Sequence, residues 1–308
     1  QTLKTTKYNF ILQKDYESKL KQSATFLEKS GGSPIPEDYQ EIALQKYDPI
    51  FFFTTTSVTI PARAENIDLK LVGEGAFAIV HKFKDPYYNK IFAKKTLKPS
   101  TTEREKERFL KEYTIMSQMN FPYTLEVYRL TDDDNSYIME YCDSNLENYI
   151  ATNNTKVGFE IRKRIALQFL YAINYIHFKK LLHRDISTRN ILIKQFDSGV
   201  VTIKLTDFGL VKEPASDFTK SDTEYKGSII DPTIDPSVDK FKNYNIKNEI
   251  YAIGVVLQFI FTGKKSIAAN KVPQNLQSIV VRCTSNDLNS RYDKAADIIS
   301  DVEQIQSL

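Results

Sequence analysis

The stretch that most constrains this chain is His183-Arg184-Asp185-Ile186-Ser187-Thr188-Arg189-Asn190, followed after a strand and a turn by Asp207-Phe208-Gly209. Asp185, Asn190 and Asp207 offer hard oxygen atoms, the donors that hold Mg²⁺ against phosphates. A carboxylate can also orient an attacking hydroxyl and receive its proton. A fold for this chain has to bring two separate loops to one point.

The 308 residues allow one large or two small cores. A net charge of +3 is too small to argue for nucleic acid, and no basic stripe with interleaved aromatics occurs. Cys142 and Cys283 are far apart and lack metal-site spacing, which fits a reducing compartment and a cytoplasmic location. The longest apolar run, near Tyr251 to Phe261, is too short for a membrane span. No signal-peptide pattern and no initiating Met are seen, so the chain is expected to begin inside a longer gene product. The Lys- and Asn-rich composition points to an AT-rich genome, which adds delivery into a host cytosol by a bacterium as a second location.

Residues 1–65 read as an N-terminal extension, regulatory or packed on its neighbour, and residues 66–308 as one domain. Asn9 to Leu27 has a loose helical pattern, ended by Ser30-Gly31-Gly32-Ser33-Pro34. Ile50 to Ile60, rich in aromatic and β-branched residues, reads as a strand. Leu71 to Val80 reads as strand, glycine-rich turn and strand. Gly73 and Gly75 let backbone amides approach phosphate oxygens, and Phe77 caps the turn. Taken alone, G-x-G-x-x-A (Ala78 in third place) is more often a hairpin turn than a nucleotide site. Ile91-Phe92-Ala93-Lys94-Lys95 reads as a strand ending in A-x-K. Thr102 to Met119 and Phe159 to Phe178 read as helices, and Tyr137 to Cys142 as a buried strand entering a connector.

Seven such motifs in this order resemble the eukaryotic-type (Hanks-type) protein kinases, over roughly residues 66 to 305. The resemblance implies an α+β, bilobal fold: a small antiparallel β lobe with one main helix, and a larger, mainly helical lobe. It implies ATP in the cleft with Mg²⁺, or Mn²⁺ in its place, and protein as the substrate. Asp185 becomes the catalytic carboxylate, Asn190 and Asp207 the metal ligands. Lys95 becomes the phosphate-pairing lysine held by Glu112, which lies eight residues before Asn120-Phe121-Pro122. Gly73, Gly75, Phe77, Val80, Ala93, Met139, Glu140, Cys142 and Leu192 become the nucleotide-binding positions.

The sequence also departs from the family. Ile230-Asp231-Pro232-Thr233 stands where Ala-Pro-Glu is usual, which leaves Arg291 without its usual glutamate and makes Asp231 and Asp235 the candidates to replace it. Glu249 replaces an aspartate, and too few residues separate Gly263 from Leu276 for a full substrate-docking helix. Ser187 stands where serine/threonine kinases carry lysine, while Arg189 is placed as in many tyrosine kinases and is assigned to the catalytic set. The favoured reading is a serine/threonine protein kinase that also phosphorylates itself through transient self-association. Tyrosine or dual specificity, a pseudokinase or binding module, and a small-molecule phosphotransferase are the alternatives. Family spacing converges Arg184, Arg108 and Lys212 on one regulatory anion, supplied by phosphorylated Ser221 or Thr223 or by Glu224.

Overall fold

The computed structural model describes residues 2–4, 9–27, 34–39, 51–53, 67–211, 228–234, 243–265 and 274–306. The chain divides into two units, Gln1–Asn66 and Ile67–Leu308. In the first, β1 (Thr2–Lys4), β2 (Asn9–Leu12) and β3 (Phe51–Phe53) form an antiparallel sheet in that order, and helix α1 spans Lys14–Ser23. The helical pattern expected from Asn9 to Leu27 is therefore half right. Residues 9–12 have partners about forty positions away, Phe10 opposite Phe53 and Leu12 opposite Phe51, and sheet pairing overrides the local periodicity. Of the strand expected over Ile50 to Ile60, Phe51–Phe53 is present, and residues 54–60 lie outside the described residues.

In the second unit, β4 (Lys70–Glu74), β5 (Ala78–Asp85), β6 (Lys90–Leu97), β7 (Val127–Leu130) and β8 (Ser136–Glu140) make an antiparallel sheet ordered β4-β5-β6-β8-β7. Helix α2, Glu103–Ser117, starts at a capping box: Thr102 accepts from the Glu105 amide, and the Glu105 carboxylate accepts from the Thr102 amide. Its buried face carries Phe109, Glu112, Ile115 and Met116, a spacing of three or four residues that makes one helical stripe. A carboxylate inside that apolar stripe needs a partner, which the site supplies.

After β9 (Ser144–Asn145) and α3 (Leu146–Asn153), the 20-residue helix α4 (Phe159–Phe178) leads to the hairpin of β10 (Ile191–Gln195) and β11 (Val201–Leu205). Helices α5 (Ile246–Thr262), α6 (Gln274–Cys283) and α7 (Ala295–Glu303) complete the core. Helix α5 is apolar nearly all round and buried accordingly. A Cβ at Gly254 would stand 2.5 Å from that of Cys283, so α5 and α6 approach this closely only with glycine there. No helix among the described residues is long and apolar enough to cross a membrane.

Arg291 does find a carboxylate. It is fully buried and binds Asp231 with both terminal nitrogens, at 2.5 and 2.9 Å, while Nε donates to the Ser285 carbonyl at 2.7 Å. Asn248 of α5 and Thr233 donate to the same aspartate. Asp235 lies outside the described residues. Burial alone would raise the Asp231 carboxyl, but the Arg291, Thr233 and Asn248 donors outweigh it and hold it below its ordinary value. Arg291→Ala leaves a buried carboxylate without its cation, and a loss of about 3 kcal/mol is expected on chemical denaturation. A carboxyl depressed by folding stabilises above its unfolded pKa and loses that contribution as pH falls through the folded value. The gap between wild type and Arg291→Ala should therefore narrow as pH drops below 3.8. A gap under about 0.5 kcal/mol at neutral pH contradicts the pairing.

Candidate active site

Strand alternation builds the upper wall. Directly opposed residues of an antiparallel sheet share a face. Gly73 faces Val80, Val80 faces Lys95, and Lys95 faces Tyr137, giving one row across four strands. Ala93, two residues before Lys95 and hence on the same face, is paired with Met139. Val80, Ala93, Lys95 and Met139, each assigned from sequence to the nucleotide, are thus brought to one surface. Gly73 and Gly75 have ordinary backbone angles, and open space surrounds Gly73. What the first of these glycines provides is access to the backbone. The partly buried Phe77 packs against the core, its ring 5.7 Å from Lys95 Nζ.

Lys95 Nζ donates to both oxygens of Glu112, at 2.8 and 2.7 Å, and the Glu112 side chain is 1% exposed. Burial opposes the lysine charge, but the Glu112 and Asp207 carboxylates outweigh it and raise its pKa, so Lys95 remains an ammonium. Asp207 lies within electrostatic reach of both members of the pair. Tyr137 adds a third bond, its hydroxyl donating to Glu112 Oε1 at 3.0 Å.

The lower wall hangs from the β10–β11 hairpin. Ile191 opposes Leu205, so the flanking Asn190 and Thr206 are adjacent, and Thr206 N donates to Asn190 O at 3.0 Å. This register brings Asn190 to Asp207. Asn190 Nδ2 donates to Asp185 O at 2.8 Å and to Oδ2 at 2.9 Å, and Ser228 N donates to Asp185 Oδ1 at 2.7 Å. The amide nitrogen being used on Asp185, carbonyl oxygen is what Asn190 offers beyond it. Asp207 has φ 67° and Arg184 φ 66°, left-handed angles uncommon outside glycine, and both flank the reactive carboxylates. Phe208 is fully buried, its ring 4.9 Å from that of His183. His183 Nδ1 accepts from Asp185 N at 3.3 Å, which directs its other nitrogen as donor to Thr206 O at 3.0 Å.

Two oxygen side chains suit a Mg²⁺ held mainly through phosphates and water. No cluster of three or more His, Cys, Asp or Glu that could hold a metal occurs among the described residues. Asn190 and Asp207 therefore fit the group expected of them.

Arg189 is 75% exposed, with Nε 3.4 Å from Glu147, a carboxylate it shares with Lys265 and Thr188. Met139, Glu140 and Cys142 run into the connector. Burial, with help from Glu140, pushes the Cys142 thiol up to about 12. The Glu140 side chain is clasped by Lys194 and, at 2.9 Å, Lys204 of the hairpin that also carries Leu192. Arg184 and Arg108 have separate charged neighbours, Glu249 and Tyr244 for the first, Arg104 and Glu105 for the second. Lys212, Ser221, Thr223 and Glu224 lie outside the described residues.

Contacts of four residues were not read from the sequence. They are the Tyr137 hydroxyl, the Glu140 clasp, Lys111 Nζ on the Val211 carbonyl at 3.0 Å, and the two bonds of Glu249. Glu249 is fully buried in α5. One oxygen accepts from Arg184 N at 2.8 Å and the other meets His177 Nε2 at 2.6 Å. It fixes the strained backbone just before Asp185. Glu249→Leu removes the acceptor of that amide and of the imidazole, and a loss of about 2–4 kcal/mol is expected on urea unfolding. A change below about 0.5 kcal/mol shows that Glu249 does not hold the loop.

Comparison with known proteins agrees with this geometry. The family model described as protein kinase domain matches residues 67–305. A probable serine/threonine-protein kinase of Clostridium perfringens is 28% identical over 264 residues, covering 77% of this chain and 38% of its own length. The serine/threonine-protein kinase PrkC of Bacillus subtilis is 27% identical over 262 residues, 76% of this chain and 39% of its own. The tyrosine protein-kinase src-1 of Caenorhabditis elegans is 31% identical over 172 residues, 54% of this chain and 32% of its own. The chain spans about two-fifths of the length of the bacterial relatives it matches.

Proposed function

This chain belongs to the protein kinase family, and on that premise we propose that it transfers the γ-phosphate of ATP to serine or threonine hydroxyls of proteins. The observation that supports the reading is that Lys95 is paired with Glu112 within electrostatic reach of Asp207, while Asp185 is oriented by Asn190. A pseudokinase that only binds nucleotide would have no use for an oriented Asp185.

The chemistry comes from the positions. Lys95, oriented by Glu112, would bind the α- and β-phosphates, and Asn190 with Asp207 would hold a divalent cation, Mg²⁺. When bound, the metal offsets charge on the phosphates. Donors from Asn190 and Ser228 reach the two carboxylate oxygens of Asp185 and fix its orientation. The acceptor hydroxyl donates its hydrogen bond to Asp185 and its oxygen forms the new bond to the γ-phosphorus. The bond to the β–γ bridging oxygen breaks, ADP leaves, and Asp185 takes the proton. Residues 66–308 would form the catalytic domain and residues 1–65 an N-terminal extension. The two free, buried cysteines fit a reducing compartment.

Serine and threonine are favoured because the bacterial relatives that cover most of this chain carry that description. Tyrosine specificity is the second reading, favoured by Arg189 and by the likeness to src-1. Two substitutions test the assignment. Asp185→Asn should bind ATP within about threefold of wild type while transfer to a protein substrate falls by at least about 100-fold. Asp207→Asn should weaken the binding of Mg–ATP itself. Transfer by Asp185→Asn at the wild-type rate overturns the proposal.

A further inference from the structure

Glu112 must do more than pair with a cation. To hold Lys95 at one point its carboxylate has to be fixed in direction, and an ammonium on a flexible stem is a point charge that does not fix it. The side chain lies among three elements. Lys95 faces it from β6, Tyr137 from β8, and Asp207 from the segment after β11. Of these, Tyr137 alone is both rigid and a directional donor. Its hydroxyl stands 3.0 Å from Glu112 Oε1, and the residue is 0% exposed.

The ring is fixed as well. It packs 4.8 Å from Phe109 and 5.5 Å from Tyr113, both on α2, and lies directly opposite Lys95 in the sheet register. The Lys95 ammonium sits 5.8 Å from this ring, 5.7 Å from that of Phe77 and 5.9 Å from that of Phe109, within range of attraction to each. A phenol in so apolar a place is costly unless bonded, and Glu112 is its bonded partner.

We propose that Tyr137 is a positioning residue for the phosphate-binding pair, its hydroxyl setting the Glu112 carboxylate and its ring confining the Lys95 ammonium. The inference rests on reading Lys95 as the phosphate-holding cation. Tyr137→Phe keeps the ring and removes the hydroxyl, so it isolates the first half of the role.

The test measures turnover of a protein substrate at saturating ATP, and hydrogen exchange of the α2 amides. Both are measured in wild type, Tyr137→Phe, Glu112→Met and the double variant. Tyr137→Phe should lower kcat about tenfold, the scale of one hydrogen bond to a charged acceptor, and leave KM for the protein substrate unchanged. It should also speed exchange in α2 but not in α4. In the Glu112→Met background, Tyr137→Phe should change α2 exchange by less than about twofold, because the acceptor is already gone. Turnover within twofold of wild type despite a lowered melting temperature overturns the proposal. So does an exchange effect that persists in full without Glu112. If the wild type itself transfers no phosphate, the kinase reading falls, and the exchange cycle still decides whether Tyr137 acts through Glu112.

Discussion

The ion pair between Lys95 and Glu112 is the interaction on which the rest depends. Its side chains are 15% and 1% exposed, so both charges have left water, and attraction between them offsets only part of that cost. Such a pair forms only where α2 is docked on the sheet with Glu112 turned toward β6. The capping box at Thr102 sets where the helix begins, and the Phe109–Ile115–Met116 stripe sets which face it buries. The pair then fixes the orientation of the small lobe's helix, and Lys111, on the Val211 carbonyl, carries that orientation to the segment after Asp207.

The large lobe solves the same problem with different residues. The backbone amide before Asp185 needs a buried acceptor, and Glu249 supplies it from α5. Arg291 needs a buried anion, and Asp231 supplies it from a loop. In both places the side chain differs from the family pattern, yet the electrostatic requirement is met. Burial explains why. Neither an unpaired amide nor an unpaired guanidinium is tolerated in such places, whereas the identity of the carboxylate is free to change.

Much of the site was legible because its residues lie in strict spacing on local elements. Asp185, Asn190 and Asp207 sit on the two ends of one hairpin, and Ala93 with Lys95 on one strand face. Arg291–Asp231 was legible as a choice between two aspartates, since an arginine without its expected glutamate must bind some other anion. What escaped was set by distant partners. Tyr137 reads as one more apolar position of a buried strand, and nothing local announces that its hydroxyl meets a residue 25 positions earlier. Glu140 meets lysines from a hairpin more than fifty residues on, and Glu249 meets a backbone amide 65 residues before it. The strand at residues 9–12 failed for the same reason, its partner being β3. The contact of exposed Arg189 with Glu147, 42 residues earlier, is a pairing that no motif contains.

The central claim is that the cleft is assembled to receive Mg–ATP with Lys95 and Glu112 already paired. A crystal structure with Mg²⁺ and a non-hydrolysable ATP analogue tests it most directly. The expected result is α- or β-phosphate oxygens on Lys95 Nζ, Glu112 still bonded to that nitrogen, and the metal bound by Asn190 and Asp207. A nucleotide bound away from Lys95, or a Glu112 that has left it with the metal held elsewhere, would contradict the claim.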